Sequence, residues 1–251
     1  MPKLKIKVDD LANNPSTRLP VCLLLDTSSS MEGPRIDALN EGVKMFKKTV
    51  CSDELLKLSA EICIITFGNE NFSYESNEGP NAGIKKITDF GYIENHEIPN
   101  FESGGYTPMG EAVQKAINVL QTRKKEYKDN GVEYYQPWIV LMTDGQPYDF
   151  KPCDCCDQMY RFHSIDGAVN ESTKLIKNGE LVVLPVGIGD DKELNMEVLK
   201  RISPKIPPLK LEGLKFKDFF DWLTQSMLIV SRSNPGTEVD LPPTTWARVS
   251  I

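Results

Sequence analysis

The sequence is poor in the groups on which several common enzyme mechanisms depend. It has only two histidines, His96 and His163, and neither lies in a recognisable nucleophile motif. It also lacks a glycine-rich phosphate-binding loop of the form G-x-x-x-x-G-K-[ST]. We therefore expect neither a Ser-His-Asp hydrolase nor a P-loop nucleotide-binding enzyme.

Positive charge and long apolar runs are also scarce. The chain has 29 Lys and Arg against 36 Asp and Glu, a net charge of −7, whereas nucleic-acid binders normally carry a basic excess. No apolar run has the length of a membrane span, and the first residues lack the apolar centre of a secretory signal. These absences predict a soluble, cytoplasmic protein with neither a nucleic-acid nor a membrane partner.

Short apolar stretches alternate with amphipathic helical patterns along the chain. The predicted strands are 19–25, 59–67, 137–143, 181–187 and a short one near 209. The predicted helices follow Gly33-Pro34, run from Thr107-Pro108 to about 128, and cover 165–178, 192–201 and 215–230. Residues 70–105 are expected to hold an edge strand, a crossover around 86–92 and a long loop. The alternation predicts an α/β fold with a doubly wound, mostly parallel, Rossmann-like sheet, helices on both faces and one antiparallel edge strand.

The predicted organisation is one domain with two arms. Residues 1–18 form a polar N-terminal arm, residues 19–230 the domain, and residues 231–251 a proline-containing tail that cannot be helical throughout. Trp246 in this polar tail predicts packing against the domain or a partner. Three of the six cysteines, Cys22, Cys51 and Cys63, lie in apolar segments and are expected to be reduced core residues.

Oxygen-bearing side chains follow two of the predicted strands. Asp26, Ser28 and Ser30 come directly after the first strand, and Asp144 follows the strand at 137–143. Thr107 ends a glycine-rich loop that leads into a helix. Ligands of such sheets bind beyond the carboxyl ends of strands, where the strand order reverses. If the two strands are neighbours, the five side chains meet in one crevice. The alternate residues of this stretch, Thr27 and Ser29, are expected to point elsewhere and satisfy backbone groups.

An all-oxygen set of two carboxylates and three hydroxyls suits Mg²⁺, with Mn²⁺ or Ca²⁺ as substitutes. Such a set leaves the ion short of charge and ligands, so a free position would attract a carboxylate from a partner. Each motif also has a structural alternative: turn or N-cap serines, a Thr107-Pro108 helix start, and an Asp144-Gly145 turn. The coincidence of three such motifs at strand ends favours the metal site.

These residues resemble the metal-ion-dependent adhesion site of von Willebrand factor type A domains. The Asp-x-Ser-x-Ser part of that pattern is matched by Asp26, Ser28 and Ser30, the later threonine by Thr107 and the later aspartate by Asp144. Position 29 is Ser where many members have Gly. The resemblance covers about residues 19–230. It implies a non-enzymatic module that holds Mg²⁺ and grips an acidic residue of a protein partner.

Four longer stretches are similar to compact bacterial A-domain proteins associated with tellurium resistance. They read LPVCLLLDTSSSMEG, GGYTPMGEAV, LMTDGQP and LPPTTWARVSI. The similarity implies a single cytosolic A domain that works within a bacterial stress-response assembly.

The sequence also allows two other functions. A strand that ends in an aspartate also begins the site of haloacid-dehalogenase phosphatases, in which Asp26 would be the nucleophile. Those enzymes need a second aspartate two residues on, and this chain has Ser28 there. The third possibility is a scaffold that binds its partners without metal.

A cysteine-rich stretch, CDCCDQMYRFH, offers a second possible metal site. Cys153, Cys155, Cys156 and His163 could ligate Zn²⁺, but the C-x-C-C spacing differs from the usual C-x₂-C pairs. A loop with reduced thiols is favoured over zinc or a redox role, and we expect it to lie on the metal-bearing face and shape partner choice.

Overall fold

The computed structural model describes residues 14–68, 83–147, 165–189, 194–244 and 246–249. The predicted cysteine and histidine cluster at Cys153, Cys155, Cys156 and His163 lies outside the described residues, as do residues 1–13 of the N-terminal arm.

Strands and helices alternate along most of the chain. The strands are β1 (Leu19–Asp26), β2 (Ala60–Phe67), β3 (Ile84–Gly91), β4 (Trp138–Thr143), β5 (Val182–Ile188), β6 (Leu209–Leu211) and β7 (Ala247–Val249). The helices are α1 (Pro34–Ser52), α2 (Glu54–Ser59), α3 (Met109–Asp129), α4 (Ile165–Lys177), α5 (Met196–Ile202) and α6 (Phe216–Ser231). Every predicted strand and helix has a counterpart. The short helix α2 and the strand β7 were not predicted.

The strands form one seven-stranded sheet in the order β3-β2-β1-β4-β5-β6-β7. The five central strands are parallel, and β3 pairs antiparallel with β2 at one edge, as predicted. At the other edge β7 pairs antiparallel with β6, which adds a second antiparallel edge strand. The predicted crossover around residues 86–92 is wrong, because residues 84–91 form β3 itself.

Strand β1 is apolar at nearly every position of its sequence. All eight residues are buried, because helices cover both faces of the sheet. Leu23 and Leu25 belong to the core layer beneath α1 and α6. The alternate residues Cys22 and Leu24 belong to the opposite layer, beneath α3 and α4. The alternation follows from the two-residue period of a strand.

The order of the strands fixes where a site can lie. The chain runs from β1 outward to β2 and β3, and then returns to place β4 on the other side of β1. Leu25 of β1 stands in register with Met142 of β4, so the two strands end side by side. Asp26 and Asp144 therefore stand next to each other at the point where the strand order reverses.

The C-terminal tail packs on the domain. Trp246 is 2% exposed and makes edge contacts with Phe219 and Trp222 of α6, with ring centroids 5.0 and 5.4 Å away. The indole nitrogen of Trp222 donates a hydrogen bond to the carbonyl of Pro242 at 2.7 Å. These contacts align the chain for β7. The phenylalanines of α6 are core residues.

None of the helices in the described part of the chain is both long and apolar enough to cross a membrane.

Candidate metal centre at the carboxyl edge of the sheet

Asp26 forms the buried base of the candidate site. Its side chain is fully buried at the last position of β1. Oδ1 accepts a hydrogen bond from the backbone N–H of Ser28 at 2.8 Å, and Oδ2 accepts one from the hydroxyl of Thr143 at 2.6 Å. Burial raises the pKa of Asp26 to about 6, and the nearby charge of Asp144 raises it as well, while the hydrogen bonds from Ser28 and Thr143 lower it. Both oxygens are thus held in place by donors.

Ser28, Ser30 and Asp144 form a continuous chain of contacts beside Asp26. The hydroxyls of Ser28 and Ser30 are 3.1 Å apart. The hydroxyl of Ser30 donates to Oδ1 of Asp144 at 2.6 Å. Ser28 precedes a short 3-10 turn at Ser29–Met31, but its side chain makes no capping hydrogen bond. Its contact with Ser30 therefore supports the site rather than the N-cap alternative.

Thr107 reaches the same place from a different part of the chain. A Cβ atom added to Gly145 would lie 3.4 Å from the Thr107 hydroxyl oxygen and 3.8 Å from that of Ser30. The backbone next to Asp144 therefore adjoins both hydroxyls, and all five predicted residues lie close together. Helix α3 begins at Met109 with Pro108 at its N-cap position, so Thr107 lies outside the helix and is not its N-cap.

Backbone hydrogen bonds hold the Thr107 loop against the loop that follows β1. The N–H of Gly104 donates to the carbonyl of Thr27 at 2.8 Å, and the N–H of Ser29 donates to the carbonyl of Gly105 at 3.1 Å. Further back, the side-chain amide of Asn40 bonds both the N–H and the carbonyl of Phe101, at 2.7 and 2.9 Å. The position of Thr107 thus depends on α1 and on the first loop.

Thr27 and Ser29 point away from the site and satisfy backbone groups, as predicted. The hydroxyl of Thr27 donates to the carbonyls of Phe67 and Gly68 at 3.1 and 2.9 Å. The hydroxyl of Ser29 donates to the carbonyl of Gly105 at 3.1 Å. The alternate residues of the motif thus have separate roles: Ser28 and Ser30 form the chain of contacts that leads to Asp144, and Thr27 and Ser29 tie the loop to neighbouring segments.

Three residues that the sequence patterns do not single out shape the centre. Thr143 donates to Asp26, and Arg35 Nη1 lies 2.7 Å from Asp144 Oδ2. Gly68 has φ +99°, and a Cβ there would lie only 2.4 Å from the backbone nitrogen of Ser28. A polar residue at the end of the apolar stretch WIVLMT could have pointed to Thr143. No local pattern distinguishes Arg35 or Gly68, because their roles depend on contacts between distant segments.

The donor set fits a hard divalent cation. Asp26 and Asp144 are fully buried, Ser28 and Thr107 are 2% and 8% exposed, and Ser30 is exposed. The two carboxylates therefore lie at the buried end of the site, hydroxyl oxygens lie beside them, and the site reaches the surface at Ser30. Within the described residues no three His, Cys, Asp or Glu side chains cluster as metal ligands. Any further oxygen donors beside the two carboxylates are the neutral hydroxyls of Ser28, Ser30 and Thr107, and oxygen is the ligand type that Mg²⁺ prefers.

Comparison with protein-family models identifies the family of this domain. The model of the von Willebrand factor type A domain matches residues 21–207. The chain belongs to the von Willebrand factor type A domain family. The matched range begins within β1 and ends between α5 and β6, so it includes every residue of the candidate centre. No curated protein matches the sequence.

Solved structures share the fold of this A domain at low sequence identity. The pilus adhesin SpaC from Lactobacillus rhamnosus GG has a TM-score of 0.60 at 15% identity, over 86% of this chain and 32% of the adhesin. The von Willebrand domain of the type V pili tip protein Mfa5 from Porphyromonas gingivalis has a TM-score of 0.57 at 14% identity, over 88% and 99% of the two chains. The PilB minor pilin from Streptococcus sanguinis has 0.57 at 16% identity, over 84% and 61%. This A domain thus spans about a third of the length of the adhesin. The likeness shows the fold alone.

Proposed function

We propose that this A domain is a binding module that holds Mg²⁺ and uses it to grip a carboxylate of a protein partner. Asp26, Ser28, Ser30, Thr107 and Asp144 would hold the ion, and Mn²⁺ or Ca²⁺ would substitute. The observation that carries the proposal is the convergence of these five oxygen-bearing side chains where the strand order reverses. Two contacts support this convergence most directly: the hydroxyls of Ser28 and Ser30 are 3.1 Å apart, and the hydroxyl of Ser30 lies 2.6 Å from Asp144 Oδ1.

The carboxylates and the hydroxyls of the centre have different roles in binding the ion. Asp26 and Asp144 supply the negative charge, and burial keeps water from weakening it. Ser28, Ser30 and Thr107 add neutral oxygens, which complete a shell without cancelling the charge of the cation. When bound, the ion would offer a Lewis-acidic coordination position to an oxygen of the partner. The exposed Ser30 marks the side from which a partner carboxylate would approach.

The finer biological setting is also a proposal. The amino-acid sequences of the four stretches around the site and in the tail are similar to those of tellurium-resistance A-domain proteins. This similarity supports a cytoplasmic A domain in a bacterial stress-response assembly of that type. The tail stretch has a structural role besides, because it contains Trp246 and β7. Affinity capture from a bacterial lysate, before and after tellurite stress, would identify the assembly. A partner set unrelated to stress would contradict this setting.

Calorimetric titration with Mg²⁺ tests the metal site. The wild type should bind one ion, and Asp26→Ala and Ser30→Ala should lose most of the binding heat. Asp166→Asn is a matched control, because Asp166 is an exposed aspartate that pairs with Arg201 outside the site. Equal heats for the wild type and Asp26→Ala would refute the proposed site, provided that circular dichroism shows both to be folded.

Partner capture separates the proposal from its two rivals. Binding that needs Mg²⁺ and is lost in EDTA and in Asp144→Asn supports the module. Capture that is insensitive to EDTA would instead favour a metal-independent scaffold. Mg²⁺-dependent turnover of a generic aryl phosphate would favour a phosphatase that uses Asp26 as its nucleophile.

A further inference from the structure

Arg35 is a cation placed directly on one of the candidate metal ligands. Its Nη1 atom lies 2.7 Å from Oδ2 of Asp144 and 3.3 Å from the carbonyl oxygen of Ser30. The Asp144 side chain is fully buried, whereas the Arg35 side chain is 24% exposed. The guanidinium thus reaches from the surface into the centre and pairs with a buried carboxylate. Such charge-assisted bonds are stronger than neutral ones.

The other oxygen of Asp144 is also engaged. Oδ1 accepts the hydroxyl of Ser30 at 2.6 Å, while Oδ2 accepts Arg35. Asp26, by contrast, accepts hydrogen bonds from two neutral donors among the described residues, the N–H of Ser28 and the hydroxyl of Thr143. The two carboxylates therefore differ: Asp26 is held by neutral donors, and Asp144 is paired with a positively charged guanidinium. A divalent ion that draws on the charge of Asp144 must share that carboxylate with Arg35 or displace it.

Arg35 lies at a position of its helix that is electrostatically unfavourable for a cation. Arg35 follows Pro34, the first residue of α1, so it lies at the positive end of the helix dipole. A cation there is normally disfavoured, and the pair with Asp144 offsets the repulsion. Ile36 and Leu39, both buried, fix the rotation of α1 against the core. The helix therefore presents Arg35 to the centre as a consequence of core packing.

We propose that Arg35 competes with the ion for the Asp144 carboxylate. This proposal rests on the Mg²⁺ site proposed above. Arg35 neutralises Asp144 before the ion arrives and yields the carboxylate when the ion binds. The competition weakens ion binding, because the guanidinium both occupies Asp144 and repels a dication beside it. Arg35 thus sets the Mg²⁺ concentration at which the module becomes competent for its partner.

Mg²⁺ titration of Arg35→Gln tests this competition. Glutamine keeps a polar side chain of moderate length and removes the charge. We expect Arg35→Gln to bind Mg²⁺ at least about fivefold more tightly than the wild type, the lower end of usual coupling between ligands. Arg201→Gln is the matched control, because Arg201 also pairs with an aspartate, Asp166, but at an exposed site between α4 and α5. It should bind Mg²⁺ as the wild type does.

The outcomes separate this inference from the proposed function. Tighter Mg²⁺ binding by Arg35→Gln, but not by Arg201→Gln, supports the competition. This holds even if Mg²⁺ binding by the wild type is too weak to measure. Unchanged or weaker binding by Arg35→Gln, with a wild type that binds, overturns the competition and leaves the metal site intact. If neither protein binds Mg²⁺, both the competition and the proposed site are refuted.

A measurement on the wild type guards against a variant that does not fold. In protein labelled with ¹⁵N-arginine, the side-chain Nε–Hε resonance of Arg35 should shift and lose exchange protection as Mg²⁺ is added, while that of Arg201 stays in place. The Arg35 resonance can be assigned from the conservative variant Arg35→Lys. An Arg35 resonance that is unaffected at saturating Mg²⁺ would overturn the proposal.

Discussion

Asp26 shows how one residue is balanced between opposed effects. Burial raises its pKa to about 6, and the hydrogen bonds from Ser28 and Thr143 act in the opposite direction. Each donor therefore supports a charge that burial disfavours. The same donors orient both oxygens, which is what a buried ligand needs before an ion binds. The stability of the fold and the readiness of the site are thus linked at this side chain.

Thr143→Val should destabilise the protein by about 1–3 kcal/mol, the range for leaving a buried polar partner without its hydrogen bond. Valine has nearly the same shape, so the loss reports the hydrogen bonds of the hydroxyl rather than a cavity: the short one donated to Asp26 Oδ2 and the longer one, at 3.3 Å, accepted from the Gly145 N–H. Thr143→Ser keeps the donor and removes one methyl group, and it should cost about 0.8 kcal/mol. Urea denaturation measures both. A valine variant as stable as the serine variant would show that these bonds contribute little.

Gly68→Ala should disturb the loop that carries Ser28. An alanine at φ +99° would be strained, and its Cβ would lie 2.4 Å from the backbone nitrogen of Ser28. Gly131→Ala is the matched control, because Gly131 also has a positive φ, +66°, but no atom of the described residues lies within 4 Å of the added Cβ. The control should cost about 1–2 kcal/mol, and Gly68→Ala more, with weaker Mg²⁺ binding as well. Equal losses in denaturant unfolding would argue against the close approach.

His96 should make stability depend on pH. Burial lowers its pKa below the ordinary value of 6.5, an effect partly offset by the hydrogen bond between Nε2 and the Ile62 carbonyl at 2.9 Å. The folded protein therefore binds this proton less readily than the unfolded chain does. The stabilisation is complete above pH 6.5 and decreases as the pH falls below it.

The difference in unfolding free energy between the wild type and His96→Gln isolates this effect from other titrating groups. Measured from pH 8 to pH 5, the advantage of the wild type should shrink as the solution becomes more acid. A difference that stays constant, or that grows toward pH 5, would contradict the assignment.

At the scale of elements, the centre is made of ends and loops that several segments hold together. The end of β1 supplies Asp26, the segment after β4 supplies Asp144, and the loop before α3 supplies Thr107. Hydrogen bonds from the first loop to Gly104 and Gly105 join these pieces. Helix α1 contributes twice, through Asn40 to the Thr107 loop and through Arg35 to Asp144. The site is therefore precise only if α1 is docked.

The contact between α6 and the tail should contribute strongly to stability. Trp246→Ala removes a side chain that is 2% exposed and packed against Phe219 and Trp222, so it should cost about 3–5 kcal/mol in urea unfolding. Leu214→Ala, at a residue that is 46% exposed, is the control and should cost no more than about 0.5 kcal/mol. Similar losses in the two variants would show that the tail is not part of the core.

At the scale of the whole molecule, buried charge lies at both ends of the sheet. Asp26 and Asp144 lie at the carboxyl end of β1 and β4. Near the start of β2, Glu61 pairs with Arg18 at 3.1 Å and Arg123 at 2.6 Å, and accepts the hydroxyl of Tyr127 at 2.6 Å. The second cluster has two guanidiniums to one carboxylate, whereas among the described residues the first has two carboxylates to one guanidinium. The surplus negative charge is therefore at the end where we propose the ion.

Mg²⁺ should stabilise the whole protein against unfolding. A ligand that binds only the folded state adds about 2.7 kcal/mol when its concentration is 100 times its dissociation constant. Thermal unfolding should therefore shift upward with Mg²⁺ in the wild type and in Asp166→Asn, and not in Asp144→Asn. The same shift in all three proteins would mean that Mg²⁺ acts elsewhere on the surface.

The sequence by itself determined the fold class and the candidate ligands. Buried parallel strands are apolar throughout, helices repeat every three to four residues, and polar residues at strand ends mark the carboxyl edge of the sheet. All these signals are local. They were sufficient to predict the parallel sheet and its β3 edge, and to nominate five residues that lie together in the structure. That those residues bind Mg²⁺ stays a prediction.

Only the tertiary structure decided the remaining features. Strand β7, the donor Thr143, the close approach of Gly68 to Ser28 and the placement of Arg35 on Asp144 all join segments that are distant in the sequence. Asp144 and Arg35 are 109 residues apart, and nothing near either one distinguishes it as half of a pair. Local patterns report which way a side chain faces within its own element. Which cation meets which carboxylate depends on how the elements pack.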